Sequence, residues 1–278
     1  MENSMSAAGS TLPSAPRWLD AGDAALTIEF GDTIDPALVA TVTALDAAIA
    51  QQQAAGHLPG LIETMPTFRS LTLFFDPLRT GRQALTEALR PLLDRLGRAP
   101  AVPGRQWRLP VCYDDASGPD LAATAQAIGG SIDDVVALHS ATPVCVYMLG
   151  FLPGFPFMGD LPARLRLPRR SEPRVRVPAG SVAIAGGLTA IYPWESPGGW
   201  HLLGRCPVQL FDAARASPAL LAAGDRVRFA PVSAAEYRRL LAAAPEIDPS
   251  IWQAPDEAPT VVPTTVPTTV PTTVPGRP

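Results

Sequence analysis

Five apolar residues, Leu38, Val39, Val42, Leu45 and Ile49, recur at the three- and four-residue spacing of one helical face. Pro36 suits the first turn of that helix, where a missing N–H costs nothing, and Gly56 supplies a stop. Residues 81–96 repeat the pattern with Leu85, Leu89, Leu92, Leu93 and Leu96, and Gly97 follows as a cap. Short apolar runs at 24–30, 61–65, 71–75 and 106–113 predict strands, with Gly31-Asp32 and residues 66–69 as turns. The order is strand, helix, strand, strand, helix, strand. It matches the split β-α-β arrangement of ferredoxin-like domains.

After Tyr113 the texture changes. Residues 119–129 and 131–140 predict two short helices. Ser131 is placed to cap the second, and Asp133 and Asp134 suit its positive end. From Thr142 the chain breaks into short apolar runs separated by glycine and proline: 144–149, 175–177, 181–185, 189–192, 200–203, 208–211 and 226–229. Such spacing predicts a closed or nearly closed β-barrel. Residues 220–225 read as a turn into its last strand, and 234–244 as a final helix. Beyond Pro245, Val-Pro-Thr-Thr repeats across 262–274. Proline at every fourth position removes donors and blocks helix and ladder alike, so an extended, disordered tail is expected. The fold class is therefore α+β. It comprises a flexible N-terminus (1–17), an α/β domain (18–104), a barrel domain (105–232), and a terminal helix with tail (233–278).

Composition narrows the function. Of 278 residues, 47% are hydrophobic, enough for a core. The 22 basic against 26 acidic residues give a net charge of −4, which offers no cationic surface for nucleic acid. No start resembling a secretory leader and no run of about 18 apolar residues is present, so a cytoplasmic protein without a membrane span is expected. Cys112, Cys145 and Cys206 form no CxxC pair and sit in apolar, strand-like settings, where inert reduced thiols are expected. His57, His139 and His201 match no metal-ligand spacing, so no metal is expected. His139 suits a capping or core role. His201 is the weak candidate for a proton shuttle.

The densest information lies in residues 150–206. Gly150-Phe151-Leu152-Pro153-Gly154-Phe155-Pro156-Phe157 is followed by Arg169, Arg170, Arg174 and Arg176. Then come Val177-Pro178-Ala179-Gly180-Ser181-Val182, Gly186-Gly187 and Ser196-Pro197-Gly198-Gly199-Trp200-His201, closed by Arg205. So much glycine and proline fits backbone that approaches a ligand or takes positive φ. The aromatics can line a pocket or partner surface, or they can be ordinary core in a tightly turned barrel. The arginines can grip a carboxylate or phosphate, or face solvent. Ser181 lacks the setting of a nucleophile elbow. The sequence contains no Walker-type phosphate loop and no lysine.

These motifs, in this order, resemble the family known variously as the 5-oxoprolinase B subunit, allophanate hydrolase subunit 1, or KipI-type kinase inhibitors. Gly22-Asp23-Ala24-Ala25-Leu26, Glu63-Thr64-Met65-Pro66, Pro110-Val111-Cys112-Tyr113, Gly118-Pro119-Asp120-Leu121 and Leu138-His139-Ser140 extend the likeness over roughly 18–231. The resemblance implies a cyclophilin-like barrel after the N-terminal domain. It implies a partner of the 5-oxoprolinase C-type or allophanate hydrolase subunit 2 kind, and a third, lactam-opening partner of the A type. It further implies ATP-dependent opening of 5-oxoproline to glutamate, with ATP bound at the level of the complex. The substrate or partner pocket would draw on Phe155, Arg170, Arg174, Pro178, Gly180, Ser181, Gly186, Gly187, Gly198, Gly199, Trp200 and Arg205. One departure stands out: Leu188-Thr189-Ala190 replaces the Gln-Thr-Gly of many members. Inhibition of a sensor histidine kinase and a role in allophanate or urea processing are the alternatives. A proline-peptide binder or isomerase rests on barrel shape alone.

Overall fold

The computed structural model describes residues 16–96, 104–244 and 248–254. The expected caps and tails at 1–15, Gly97 and 255–278 lie outside them. In the N-terminal domain the helices form where the apolar spacing places them, as α1 (Pro36–Ala54) and α2 (Arg82–Leu93). Asp35 opens α1 by accepting from the Ala37 N–H at 2.7 Å. Four strands, β1 (Arg17–Asp20), β2 (Ala25–Glu29), β3 (Leu61–Pro66) and β4 (Ser70–Phe75), pair antiparallel in the order β1-β2-β4-β3. Ile28, Leu71 and Leu73 of the sheet meet Val42, Leu45, Ile49 and Leu89 of the helices.

One element differs from expectation. The strand at 106–113, counted as the last strand of the ferredoxin-like motif although it falls beyond the boundary drawn at 104, is β5 (Gln106–Cys112) and lies in the barrel. Its place beside β2 is taken by β1. The ferredoxin-like order survives because the edge position is filled from the other end of the motif. Arg17 of β1 and Arg69 beside β4 both reach Glu29, a mostly buried carboxylate on β2, and so tie this edge together.

The barrel comprises β5, β6 (Val144–Leu149), β7 (Pro156–Gly159), β9 (Ser181–Ala185), β10 (Leu188–Ile191), β12 (His201–Arg205) and β13 (Arg226–Val232). The strand order is β12-β9-β10-β7-β6-β13-β5, and Arg205 opposite Cys112 closes the ring. β13 and β5 run parallel; the other barrel pairs are antiparallel. Inside sit Leu109, Val111, Val144, Val146, Met158, Val182, Ile184, Ile191, Leu203, Val227 and Phe229. Alternate residues of each strand supply this core, as period-two geometry requires. Helices α3 (Leu121–Ala127) and α4 (Ile132–Ala141) follow β5, and Ser131 caps α4 in a reciprocal capping box with Asp134. A short ribbon, β8 (Arg174–Val177) with β11 (Ser196–Gly198), forms a sheet of its own.

Two further expectations change. Residues 208–211 form no strand; Phe211 makes a single bridge to Ala219. Beyond helix α5 (Ala234–Ala243), the stretch expected to be disordered contains a 3-10 turn, Pro249–Trp252, and β14 (Gln253–Ala254). β14 pairs with Trp107 and Gln106, on the edge of β5 that β12 leaves free.

Candidate functional site

β9 and β10 are buried on both faces. Inward they carry Val182, Ile184, Thr189 and Ile191; outward they carry Ala183, Ala185 and Ala190. The small outer residues make room for a second layer of Phe155, Tyr192, Trp200, Leu188 and Phe157. Phe155 touches Phe157 and Tyr192 at centroid distances of 4.9 and 5.0 Å, and Phe157 meets Trp200 at 6.0 Å. Phe68, from the β3–β4 turn, approaches Phe157 at 5.8 Å and Tyr147 at 6.2 Å, so the aromatic layer continues into the N-terminal domain. Phe155 and Trp200 are thus the floor of the region rather than an open lining.

Above this floor lies a charge centre. A Cβ on Gly118 would sit 2.1 Å from the Leu203 carbonyl oxygen, so glycine there permits the chain to press against β12. That contact delivers Asp120. Its N–H donates to Leu202 O at 3.1 Å, and its Oδ2 accepts the Leu202 N–H at 2.7 Å. Its Oδ1 accepts from Arg170 Nη1 at 2.8 Å and from Arg174 Nη2 at 2.7 Å. Burial alone would raise the Asp120 pKa, but the Arg174 and Leu202 hydrogen bonds and the two guanidinium charges outweigh it and hold the carboxyl below its ordinary value. One carboxylate against two guanidiniums leaves a net positive charge. Arg170 Nε and Arg174 Nη1 are buried without a hydrogen-bond partner among the described residues. The Arg170 N–H donates to Gly199 O at 2.8 Å, and the Arg169 guanidinium lies 5.9 Å from the Trp200 ring.

The structure therefore gathers Arg170, Arg174, Gly198, Gly199, Trp200 and Phe155. The other expected residues serve elsewhere. Pro178, Gly180, Ser181 and Arg205 form a tight corner: Gly180 (φ 80°) donates to Tyr192 O, and Arg205 donates to Ala179 O. Ser181 is buried, and among the described residues no side-chain base bonds to its hydroxyl. Gly186 and Gly187, both with positive φ, make the two-residue turn joining β9 to β10. Ser181 opens β9 and Gly186 follows its last residue, so the two lie roughly 16 Å apart at about 3.3 Å per residue. His201 Nε2–H donates to the Pro168 carbonyl at 2.9 Å, which occupies that nitrogen. Arg176 pairs with Glu195 at the surface.

His139 is a core residue. Thr189 has one hydroxyl proton and gives it to Ala183 O at 3.0 Å, so its oxygen accepts from His139 Nε2–H at 2.9 Å. His139 Nδ1 then accepts the Tyr113 hydroxyl at 2.7 Å, and the ring stacks on Phe229. Burial lowers its pKa to about 3, so the imidazole is neutral. Burial raises all three thiols, Cys206 to about 12, which leaves them poor nucleophiles. Among the described residues no group of three His, Cys, Asp or Glu could hold a metal, and no helix is long and apolar enough to cross a membrane.

Asp120, Tyr192 and Ser196 are not among the expected site residues, although Asp120 and Ser196 stand in motifs that carry the resemblance. Asp120 has no spacing signal, since its partners lie 50 and 54 positions away.

Comparison with known proteins agrees with this architecture. Residues 16–221 match the model of the carboxyltransferase domain, subdomain C and D. The chain is 40% identical over 226 residues to the 5-oxoprolinase B subunit of Bacillus subtilis, covering 78% of this chain and 92% of the relative. The protein of the same name from Escherichia coli O157:H7 is 43% identical over 176 residues, covering 63% and 79%. The crystal structure of TTHA0988 superposes with a TM-score of 0.65 at 40% identity, over 75% of this chain but only 40% of that longer one. The Kluyveromyces lactis urea amidolyase shares the fold at 23% identity, with a TM-score of 0.64 over 82% of this chain and 15% of that one. Taken with the barrel, its second aromatic layer and the motifs that build them, these matches show that the chain belongs to the carboxyltransferase-domain, subdomain C and D, family.

Proposed function

We propose that this chain is the B subunit of an ATP-dependent 5-oxoprolinase, a complex that opens 5-oxoproline to glutamate. The 40% identity to the Bacillus subtilis protein over nearly its whole length carries this reading. The lactam is a stable amide. Transfer of a phosphoryl group to its oxygen makes the carbonyl carbon electrophilic. Water then adds and the C–N bond breaks as the nitrogen takes a proton, which leaves an acyl phosphate; a second water hydrolyses it to the carboxylate and phosphate. Among the described residues no group is set up to perform those steps unaided. The chain has no lysine and no phosphate loop, its thiols are buried or half-buried, and its one partly exposed barrel histidine is engaged with a carbonyl. The donors left open at Arg170 and Arg174 fit an oxyanion. The nucleotide is accordingly assigned to a partner or a shared interface. A C-type partner and a lactam-opening partner of the A type complete the complex, in the cytoplasm.

The test is reconstitution. The purified chain is mixed with both partners, and ATP-dependent glutamate release from 5-oxoproline is measured with each component omitted in turn. Activity is expected only with all three. Undiminished release without this chain would sink the reading.

A further inference from the structure

The ribbon β8–β11 covers more donors than acceptors. Arg174 opens β8, and its register partner on β11 is Gly198. The Tyr192 phenolic oxygen lies against that glycine; a Cβ there would sit 2.4 Å from it. Across a register shift between Ser196 and Gly198, Ser196 is buried and Pro197 is exposed. Ser196 is 8% exposed and its Oγ has no hydrogen-bond partner among the described residues. Arg170 Nε and Arg174 Nη1 are unpartnered in the same way. Buried donors normally find acceptors, and guanidinium donors left open are costlier than neutral ones. Asp120 accepts three hydrogen bonds, from Arg170 Nη1, Arg174 Nη2 and the Leu202 N–H, and none of them comes from Arg170 Nε or Arg174 Nη1. The ribbon makes no ladder with the barrel and is held by side chains, Val177 in the aromatic layer and Arg174 on Asp120.

We infer that Arg170, Arg174, Tyr192 and Ser196 form a site for a small oxyanion beneath the β8–β11 ribbon, with the aromatic layer as its floor. A carboxylate and a phosphoryl group share the needed chemistry: negative charge carried on several acceptor oxygens. The choice of 5-oxoproline as a probe rests on the function proposed above; the site itself does not.

The test is calorimetry on the full chain with 5-oxoproline, with 2-pyrrolidinone (the same lactam without its carboxylate) and with inorganic phosphate. Tyr192→Phe and Ser196→Ala leave the Asp120 ion pairs intact and remove only hydroxyls. We expect 5-oxoproline to bind, 2-pyrrolidinone to bind at least about tenfold more weakly, and each substitution to weaken 5-oxoproline about three- to tenfold without lowering Tm. Phosphate binding that both substitutions weaken, with no 5-oxoproline binding, would confirm the oxyanion site and assign it to a phosphoryl group. Binding of neither anion, or binding indifferent to both substitutions, would overturn the site. Glutamate release by the reconstituted complex is read separately. Tyr192→Phe and Ser196→Ala complexes at full rate would leave the function standing and the site refuted.

Discussion

Arg174 Nη2 reaches Asp120 Oδ1 at 2.7 Å across 54 positions of sequence, pinning the start of the β8–β11 ribbon to the turn that precedes α3. Asp120→Asn keeps the shape and removes the charge. Arg170 and Arg174 are then left facing each other without a counter-ion. Breaking a fully buried pair costs about 3–5 kcal/mol. These arginines retain 31% and 25% side-chain exposure, so about 2–3 kcal/mol is expected. Urea unfolding at pH 7 measures it. A change below about 0.5 kcal/mol would mean that the ribbon is not held by this charge.

His139 gives the fold an acid sensitivity with a defined window. Its imidazole titrates near 3 when folded and near 6.5 when unfolded. Below 6.5 the unfolded chain takes up a proton that the folded chain refuses. Stability from this group is therefore complete above about pH 6.5 and falls by about 1.4 kcal/mol per unit until about pH 3. Asp120 acts lower. Its depressed carboxyl contributes stability above the ordinary carboxylate value, lost only as pH falls through the folded one. His139→Gln should flatten the decline between pH 6.5 and 4. It should cost about 1–3 kcal/mol at pH 8, because the Tyr113 hydroxyl and Thr189 lose their partner. An unchanged slope in the variant would assign the acid sensitivity to other groups.

Gly118→Ala tests the close approach that positions Asp120. The obstructing atom is the Leu203 backbone carbonyl, 2.1 Å from the added methyl, and backbone cannot swing aside as a long side chain can. The strand or the turn must move, with a loss of more than about 2 kcal/mol expected. The displacement carries Asp120 off Leu202, so anion binding should fall with it. By contrast, a Cβ at Gly22 meets nothing within 4 Å; its cost comes only from φ 75°. Gly22→Ala should therefore cost about 1–2 kcal/mol and leave anion binding unchanged.

Much of the fold was legible because its signals are local. The face of Leu38, Val42, Leu45 and Ile49 fixed α1, and Ser131 with two aspartates fixed the start of α4. Strand β1 escaped because Arg17–Asp20 is four residues long with largely exposed side chains and takes its order from pairing with β2. The assignment of β5 to the barrel is likewise a property of β12 and β13. In the site, the glycines and aromatics announced themselves by composition. Their division into a floor, a corner and a hairpin turn did not, because it depends on which strand face each occupies. Alanines at 183, 185 and 190 were the available clue that a second layer covers β9 and β10. Leu188, the departure from the usual glutamine, joins that apolar layer, so no hydrogen bond is missing where it sits.

Phe151 is the one place where an exposed aromatic residue is held in unfavourable backbone among the described residues. It has φ 67°, and the Leu152 N–H bonds to Gly150 O at 2.8 Å across it, the pattern of a γ-turn of the rare, strained hand. Its ring is 65% exposed and touches Phe155 edge-on at 5.4 Å. Trp194, also exposed, is anchored nearby through Nε1–H to Pro153 O. Strain of about 1–3 kcal/mol persists only where the surroundings enforce it. Phe151→Gly removes that strain but loses an edge contact and adds freedom to the unfolded chain. These terms nearly cancel, so Tm of the isolated chain should shift by no more than a few degrees. If the strained turn exists to present the ring to a partner or substrate, the reconstituted complex should lose at least about tenfold in glutamate release. Full activity from the Phe151→Gly complex would instead assign the turn to packing Phe155 alone.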